Sequence, residues 1–268
     1  TAVVAMAMDR ADRGGVSATA DAHAQAIARA REWIEGLQSR DGAWAAFDAD
    51  NTYHYLNHIP FADHGALLDP PTADVTARCV SMLAQLGETR ATSPALARGI
   101  DALLADQEQD GSWFGRWGMN YIYGTWSALC ALAAVRQDSR SEPVRRAVAW
   151  LVGIQNGDGG WGESGGSYKL DYKGYVSSPS TASQTAWALL GLMAAGEADH
   201  PAVARGIAYL AATQGEDGFW SEPFHTATGF PRVFYLRYHG YSKFFPLWAL
   251  ARYRNLKRGN SRSAMFGM

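Results

Sequence analysis

Few side chains in this sequence stand in patterns suited to catalysis or metal binding, and most of those read first as structure. His54 and His58 stand four apart and could share a metal, but Pro60 follows and no further Cys or His cluster supports zinc, so no metal site is expected. Cys79 and Cys130 each lie in an apolar helical pattern, DVTARCVSMLAQL and TWSALCALAAV, which suits buried free thiols in a reducing, cytoplasmic compartment. Asp74 and Arg78 are one helical turn apart in DVTAR, the spacing of an i,i+4 surface ion pair. The largest group is aromatic, with ten Trp, twelve Tyr and ten Phe, and its densest run is GFPRVFYLRYHGY. From spacing alone that run reads as packing before a last helix.

A skeleton that occurs four times sets the helices and turns around these residues. Arg29, Arg98, Arg146 and Arg205 each precede a small residue, Ala30, Gly99, Ala147 or Gly206. A Gln follows nine residues after each Arg (Gln38, Gln107, Gln155, Gln214), and a Gly follows at thirteen (Gly42, Gly111, Gly159, Gly218). A Trp closes each unit at fifteen: Trp44, Trp113, Trp161 and Trp220. Apolar residues between Arg and Gln recur at helical spacing, so each unit opens on an amphipathic helix. An Asp-Gly pair ends it every time, since Gly accepts the positive φ of a helix stop and Asp bonds its own backbone. The Gln amide on a neighbouring helix end is the expected partner of the Trp N–H, which makes the unit a structural staple between helix pairs. Ten Trp exceed what four staples require, so a second aromatic population needs a purpose.

Helical patterns cover 1–12, 18–37, 73–86, 93–107, 122–135, 142–154, 180–195, 199–213 and 241–256. The first member of each later pair is rich in Ala and Leu, as in an inner helix covered on most sides. Pro94, Pro143 and Pro201 fall at the starts of second helices, where a missing N–H costs little. Nine helices stacked in pairs imply an all-α ring or solenoid, the (α/α) toroid, here short of the twelve helices of a closed six-pair ring. One domain over 1–256 and an irregular, disordered tail over 257–268 are expected. Residues 45–72 form a long irregular segment, and segments of that length in compact domains are usually functional. Net charge is -2, which gives no reason to expect a nucleic-acid partner. No run reaches the roughly 18 to 20 apolar residues of a spanning helix, and TAVVAMAMDR has no signal-peptide features. That opening, in mid-helix and without an initiator Met, points to preceding sequence.

The repeated Arg, Gln and Gly-x-Trp skeleton resembles the QW motif of the triterpene cyclases. The runs FDADNTYHYLNHIPFADHG, DPPTADVTAR, GSWFGRWGMNYIYGTW, SPSTASQTAWALLGL and TGFPRVFYLRYHGYSKFFPLWALARY resemble bacterial squalene-hopene cyclases over nearly the whole chain. That resemblance implies the C-terminal toroid of a two-toroid enzyme. The implied reaction is acid-initiated, cofactor-free cyclisation of squalene to hopene and hopanol. It further implies a peripheral, monotopic seat on the cytoplasmic side of a bacterial inner membrane, and it leaves a homodimer open. The initiating acid of the family belongs to Asp-x-Asp-Asp-Thr-Ala, and Thr1-Ala2 reads as the end of that motif, so this chain alone is expected to be inactive. Asp48-Ala49-Asp50-Asn51 lacks the second consecutive Asp and reads as loop structure.

Carbocations need surroundings that stabilise charge without offering a lone pair, which aromatic faces provide while excluding water. By resemblance, Phe230 and Phe234 face developing cations, Leu236 shapes the cavity, and Tyr238 and Tyr241 line the region of early ring closure. Trp117 holds the terminal alkene, Tyr123 belongs to the path that reprotonates the acid, and Phe47 lines the cavity where some relatives have Tyr. Asp74 and Arg78 match a carboxylate and a basic partner of the acid; the latter is His in some relatives, and Arg does not shuttle protons at neutral pH. Phe61 and Ala62 match the constriction of an apolar substrate channel. The alternatives are a class II diterpene or oxidosqualene cyclase, and a non-catalytic toroid used for binding.

Overall fold

In the computed structural model, residues 1–16, 21–61, 67–168 and 174–259 are described, apart from the side chain of Asn57. The ends of the first two helices differ slightly from the sequence expectation: α1 is Ala2–Arg13 and α2 is Ala24–Gly36. There follow α3 (Ala73–Gln85), α4 (Pro94–Ala105), α5 (Tyr121–Ala134), α6 (Glu142–Gly153), α7 (Ala182–Ala194), α8 (Pro201–Thr213) and α9 (Tyr241–Lys257). The odd-numbered helices pack in succession, α1 on α3, α3 on α5, α5 on α7 and α7 on α9. The even-numbered helices α2, α4, α6 and α8 each lie against the inner helix that precedes them. Among the described residues this is a curved double layer of helices, and it has the inner and outer members that the composition implied.

Burial follows that division. Every residue of α5 from Tyr121 to Leu132 is buried, as is every residue of α7 from Ala182 to Met193. Outer α4 buries one stripe, Leu96, Ile100 and Leu103, at the i, i+4 and i+7 positions of an amphipathic helix. Ser93 caps α4 by accepting from Leu96 N at 3.1 Å, and Thr181 caps α7 by accepting from Gln184 N at 3.2 Å. Gly191 lets α5 and α7 approach closely, since a Cβ there would lie 3.2 Å from Trp126 Cα. Terminal α9 buries only Pro246 and Ala249, because no described helix covers its far side.

Three of the four staples couple one unit to the next, by bonds other than those expected. The indole N–H does not meet the Gln. Trp44 Nε1 donates to Ile34 O (2.7 Å), Trp113 to Leu103 O (2.7 Å), Trp161 to Leu151 O (2.8 Å) and Trp220 to Leu210 O (2.8 Å). Those carbonyls lie in the last turn of the helix just before each Trp, where no intrahelical donor remains. The Gln amides donate to their own turns, at Gly42, Gly111, Gly159 and Gly218 O. Three of them also reach the first turn of the following outer helix, at Ala95, Pro143 and Ala202 O. The repeated Arg acts backward: Arg98 donates to Gln38 Oε1 and Arg205 to Gln155 Oε1, while Arg146 donates to Glu108 and Gln109 O. Gly99 and Gly206 each make room for the ring of the preceding unit, Trp44 and Trp161. A Cβ on Gly99 would lie 2.5 Å from the Trp44 ring, so Gly99→Ala is expected to destabilise the chain by about 1–3 kcal/mol in denaturant titration.

Two short antiparallel hairpins interrupt the helices, which the sequence reading did not anticipate. β1 (Trp161–Glu163) pairs with β2 (Ser177–Thr181), and β3 (Ala227–Phe230) pairs with β4 (Phe234–Leu236). The long segment 45–72 contains a 3-10 turn at His54–His58 and an isolated bridge between Asn51 and Asp69. Of the expected tail, 260–268 lie outside the described residues, and Lys257 belongs to α9.

Candidate active site

The Asp74 and Arg78 pair is not on the surface and is not a carboxylate-guanidinium bridge. Asp74 is fully buried at the start of α3, where Oδ1 accepts from Thr72 Oγ1 at 2.6 Å and Oδ2 accepts from Trp117 N at 2.9 Å. The i,i+4 expectation fails because Thr72, just before α3, takes one carboxylate oxygen and Trp117, in the loop that follows α4, takes the other. Arg78 Nη1 instead donates to Asp74 O at 2.7 Å, and Nη2 donates to the Tyr123 hydroxyl. Its guanidinium carbon stands 5.0 Å from the Tyr123 ring centre and 6.0 Å from that of Trp126. Burial opposes the Arg78 charge, but the oxygens of Tyr123, Asp74 and Tyr241 outweigh it and raise the pKa above its ordinary value.

Tyr123 lies in the first turn of α5 and is 4% exposed. Burial pushes its phenol pKa up, which keeps the hydroxyl protonated. Its ring meets Trp126 edge-on at 5.4 Å and Trp187 at 4.8 Å. Trp117 sits in the loop before α5 and meets the exposed ring of Phe47 edge-on at 5.7 Å. The Phe47 backbone is fixed by Asp69, whose Oδ2 accepts from Phe47 N at 2.6 Å and Asp48 N at 2.9 Å.

Phe47, Arg78, Trp117 and Tyr123 all line one recess of about 310 Å³, together with Trp33, Trp44 and Cys79. Its lining is mostly apolar, with Thr1, Arg78, Cys79 and the Tyr123 hydroxyl as its polar members, and the Trp117 indole N–H is buried without a hydrogen-bond partner among the described residues. Cys79 is inert there, because burial raises its thiol pKa to about 12. The Tyr241 ring joins this group through Trp187 at 5.7 Å and contacts Tyr238 at 5.0 Å.

The remaining expected site residues lie elsewhere. Phe230 and Phe234 pack on each other at 5.2 Å in the β3–β4 hairpin, and neither lines this recess. Leu236 pairs with Ala227 in the same hairpin, whose inner edge bonds the Trp117 loop through Met119 N to Thr226 O at 2.9 Å. Phe61 is 85% exposed, and Ala62 lies outside the described residues. The sequence reading missed the inner rings Trp126, Trp187, Phe245 and Trp248, which form a continuous aromatic column beneath Tyr123. Their positions on the buried faces of α5, α7 and α9 could have revealed them.

A curved double layer of helix pairs with an aromatic recess at the N-terminal ends of its inner helices defines an incomplete, terpene-cyclase-like (α/α) toroid fold. An ent-copalyl diphosphate synthase from Streptomyces platensis shares it with a TM-score of 0.50 at 21% identity, over 83% of this chain and 36% of that one. The family described as "Squalene-hopene cyclase C-terminal domain" matches residues 1–255, and this chain belongs to it. A squalene-hopene cyclase of Bradyrhizobium diazoefficiens is 67% identical over 271 residues, covering 100% of this chain. A probable squalene-hopene cyclase of Sinorhizobium fredii is 68% identical over 260 residues, covering 97% of it. The chain spans 40% of the length of each of these two relatives.

Proposed function

We propose that this chain forms part of the reaction chamber of a squalene-hopene cyclase. In that reaction a proton adds to a terminal alkene of squalene and successive C–C bonds close the rings. The last cation then either loses a proton, giving hopene, or takes up water and loses a proton, giving hopanol. The observation that carries the reading is the convergence of Phe47, Trp117 and Tyr123 with Arg78 around one apolar recess. Ring faces within about 6 Å of a desolvated cation stabilise it by roughly 0.5–2 kcal/mol each.

The initiating acid is not among these residues. The 268 residues contain no Asp-x-Asp-Asp, and Asp74 cannot substitute, since Thr72 and the Trp117 amide use both of its oxygens. The purified chain is therefore expected to give no hopene from squalene by gas chromatography; hopene from these residues alone would contradict this. Exchanged for the matching segment of the Bradyrhizobium enzyme, the chain is expected to restore hopene formation. A folded chimera that binds squalene without cyclising it would overturn the reading.

The proposed setting is the surface of a membrane, supported by the exposed rings of Tyr53, Tyr55 and Phe61 in one loop. Among the described residues no helix is long and apolar enough to cross a membrane.

A further inference from the structure

The first turn of α5 carries Tyr123 into the recess, and its backbone N–H groups have no local acceptor. Asn120 stands at the N-cap, but its side chain is spent elsewhere: Oδ1 accepts from Gly115 N at 3.1 Å and Nδ2 donates to Ser167 O at 3.3 Å. The acceptor comes from 43 residues downstream. Glu163, 3% exposed, accepts from Asn120 N (3.0 Å) and Ile122 N (3.0 Å) on Oε2, and from Tyr121 N (3.1 Å) on Oε1. Three N–H groups at a helix N-terminus compensate this buried carboxylate, which has no cationic partner in hydrogen-bond range among the described residues. Glu163 is itself held by Gln184 at the start of α7, whose Oε1 accepts from Glu163 N at 3.0 Å.

The placement is repeated. Glu163 stands two residues after Trp161, and Glu222 stands two residues after Trp220. Glu222 accepts from Ser183 N at 3.0 Å and Ser183 Oγ at 2.7 Å at the start of α7. In both cases a carboxylate just past a staple Trp caps the inner helix of the preceding unit, so the staple turn sets the height of that helix. Only for α5 does the capped turn carry a residue of the recess. The wall is tight there: a Cβ on Gly118 would lie 2.3 Å from the Tyr123 ring, which leaves the ring no room to shift. Tyr168 fastens the same loop, its hydroxyl lying 2.7 Å from Gly115 O and 2.9 Å from Gly118 O.

The geometry points to Glu163 as a positioning residue for cyclisation: it fixes the first turn of α5, and so holds Tyr123 against Arg78 and keeps the Trp117 loop at the recess. This rests on the functional reading above. Gln in place of Glu163 keeps the shape but turns an N–H₂ toward a backbone donor.

In the chimeric cyclase, Glu163→Gln is expected to slow turnover about 100-fold at unchanged KM, with more partly cyclised product, as a small displacement of an aligned group does. In a Tyr123→Phe background the same change adds less than about threefold, because both act through one hydroxyl. Glu222→Gln, which removes an equivalent cap away from the recess, lowers Tm comparably while turnover stays within about threefold. Full additivity with Tyr123→Phe, or equal losses of turnover from the two Gln variants, would overturn the proposal. Amide exchange in the 268-residue chain gives an independent readout. Residues 120–123 are expected to exchange about tenfold faster in Glu163→Gln; unchanged exchange overturns the proposal even where turnover falls. If the wild-type chimera makes no hopene, the functional reading fails, and the exchange result alone decides whether Glu163 fixes this wall.

Discussion

Trp161→Ala is expected to lower the stability of the chain by about 3–5 kcal/mol, the range for deleting a large buried ring. Trp161 is 0% exposed and lies where outer α6, inner α7 and outer α8 meet. Its ring occupies the space left by Gly206, where a Cβ would come within 2.7 Å, and Leu189 crowds the same spot. The backbone N bonds Thr185 Oγ1 at 2.9 Å and Nε1 bonds Leu151 O at 2.8 Å. Truncation thus opens a cavity and strands a carbonyl at the end of α6. Trp161→Phe keeps part of the volume and loses the N–H, so it is expected to cost less, about 1–3 kcal/mol. Urea titration measures both; a loss below about 1 kcal/mol for Trp161→Ala would mean that the staples are not what joins the units.

Arg78→Met is expected to slow cyclisation in the chimera about ten- to a hundredfold, since a charge-assisted hydrogen bond is worth about 1.5–3 kcal/mol and each 1.4 kcal/mol is tenfold in rate. The Tyr123 hydroxyl would lose its cationic donor and Asp74 O its partner, while the apolar lining of the recess would remain. Arg78→His separates charge from shape. Arginine stays protonated across the working range, so it introduces no transition of its own into the pH profile of the wild type. An imidazole donates as a cation only below its own pKa, about 6.5 in water and lower when buried. The His variant should therefore lose activity as pH rises through that pKa and regain it on acidification. A variant profile parallel to that of the wild type would show that the charge at position 78 is not used.

The nine α-helices among the described residues were legible because their apolar stripes repeat and because Asp-Gly, Pro94, Pro143 and Pro201 punctuate them. The partners of the staple residues were not, since local spacing says nothing about which unit a side chain reaches. Arg98 lies in the helix of one unit and bonds Gln38 of the one before. The hairpins were missed because SSPST and ATGF carry few of the β-branched and aromatic alternations that mark strands. At the site, resemblance brought Phe47, Arg78, Trp117 and Tyr123 to notice, and the fold unites them in one recess. Asp74 misled because a pair at i,i+4 is ordinarily a surface pair, whereas this carboxylate is turned inward onto a loop amide 43 residues away. Glu163 and Asp69 gave no local sign, because each serves backbone donors distant in sequence.

If these rings surround positive charge on a folding hydrocarbon, an apolar C30 tertiary amine should bind among them in a crystal structure of the chimera. The ammonium is expected in the recess, within about 6 Å of the ring centres of Trp117 and Phe47, the reach of a cation-π contact. An amine bound elsewhere, or Phe47, Trp117 and Tyr123 turned onto separate surfaces, would contradict it.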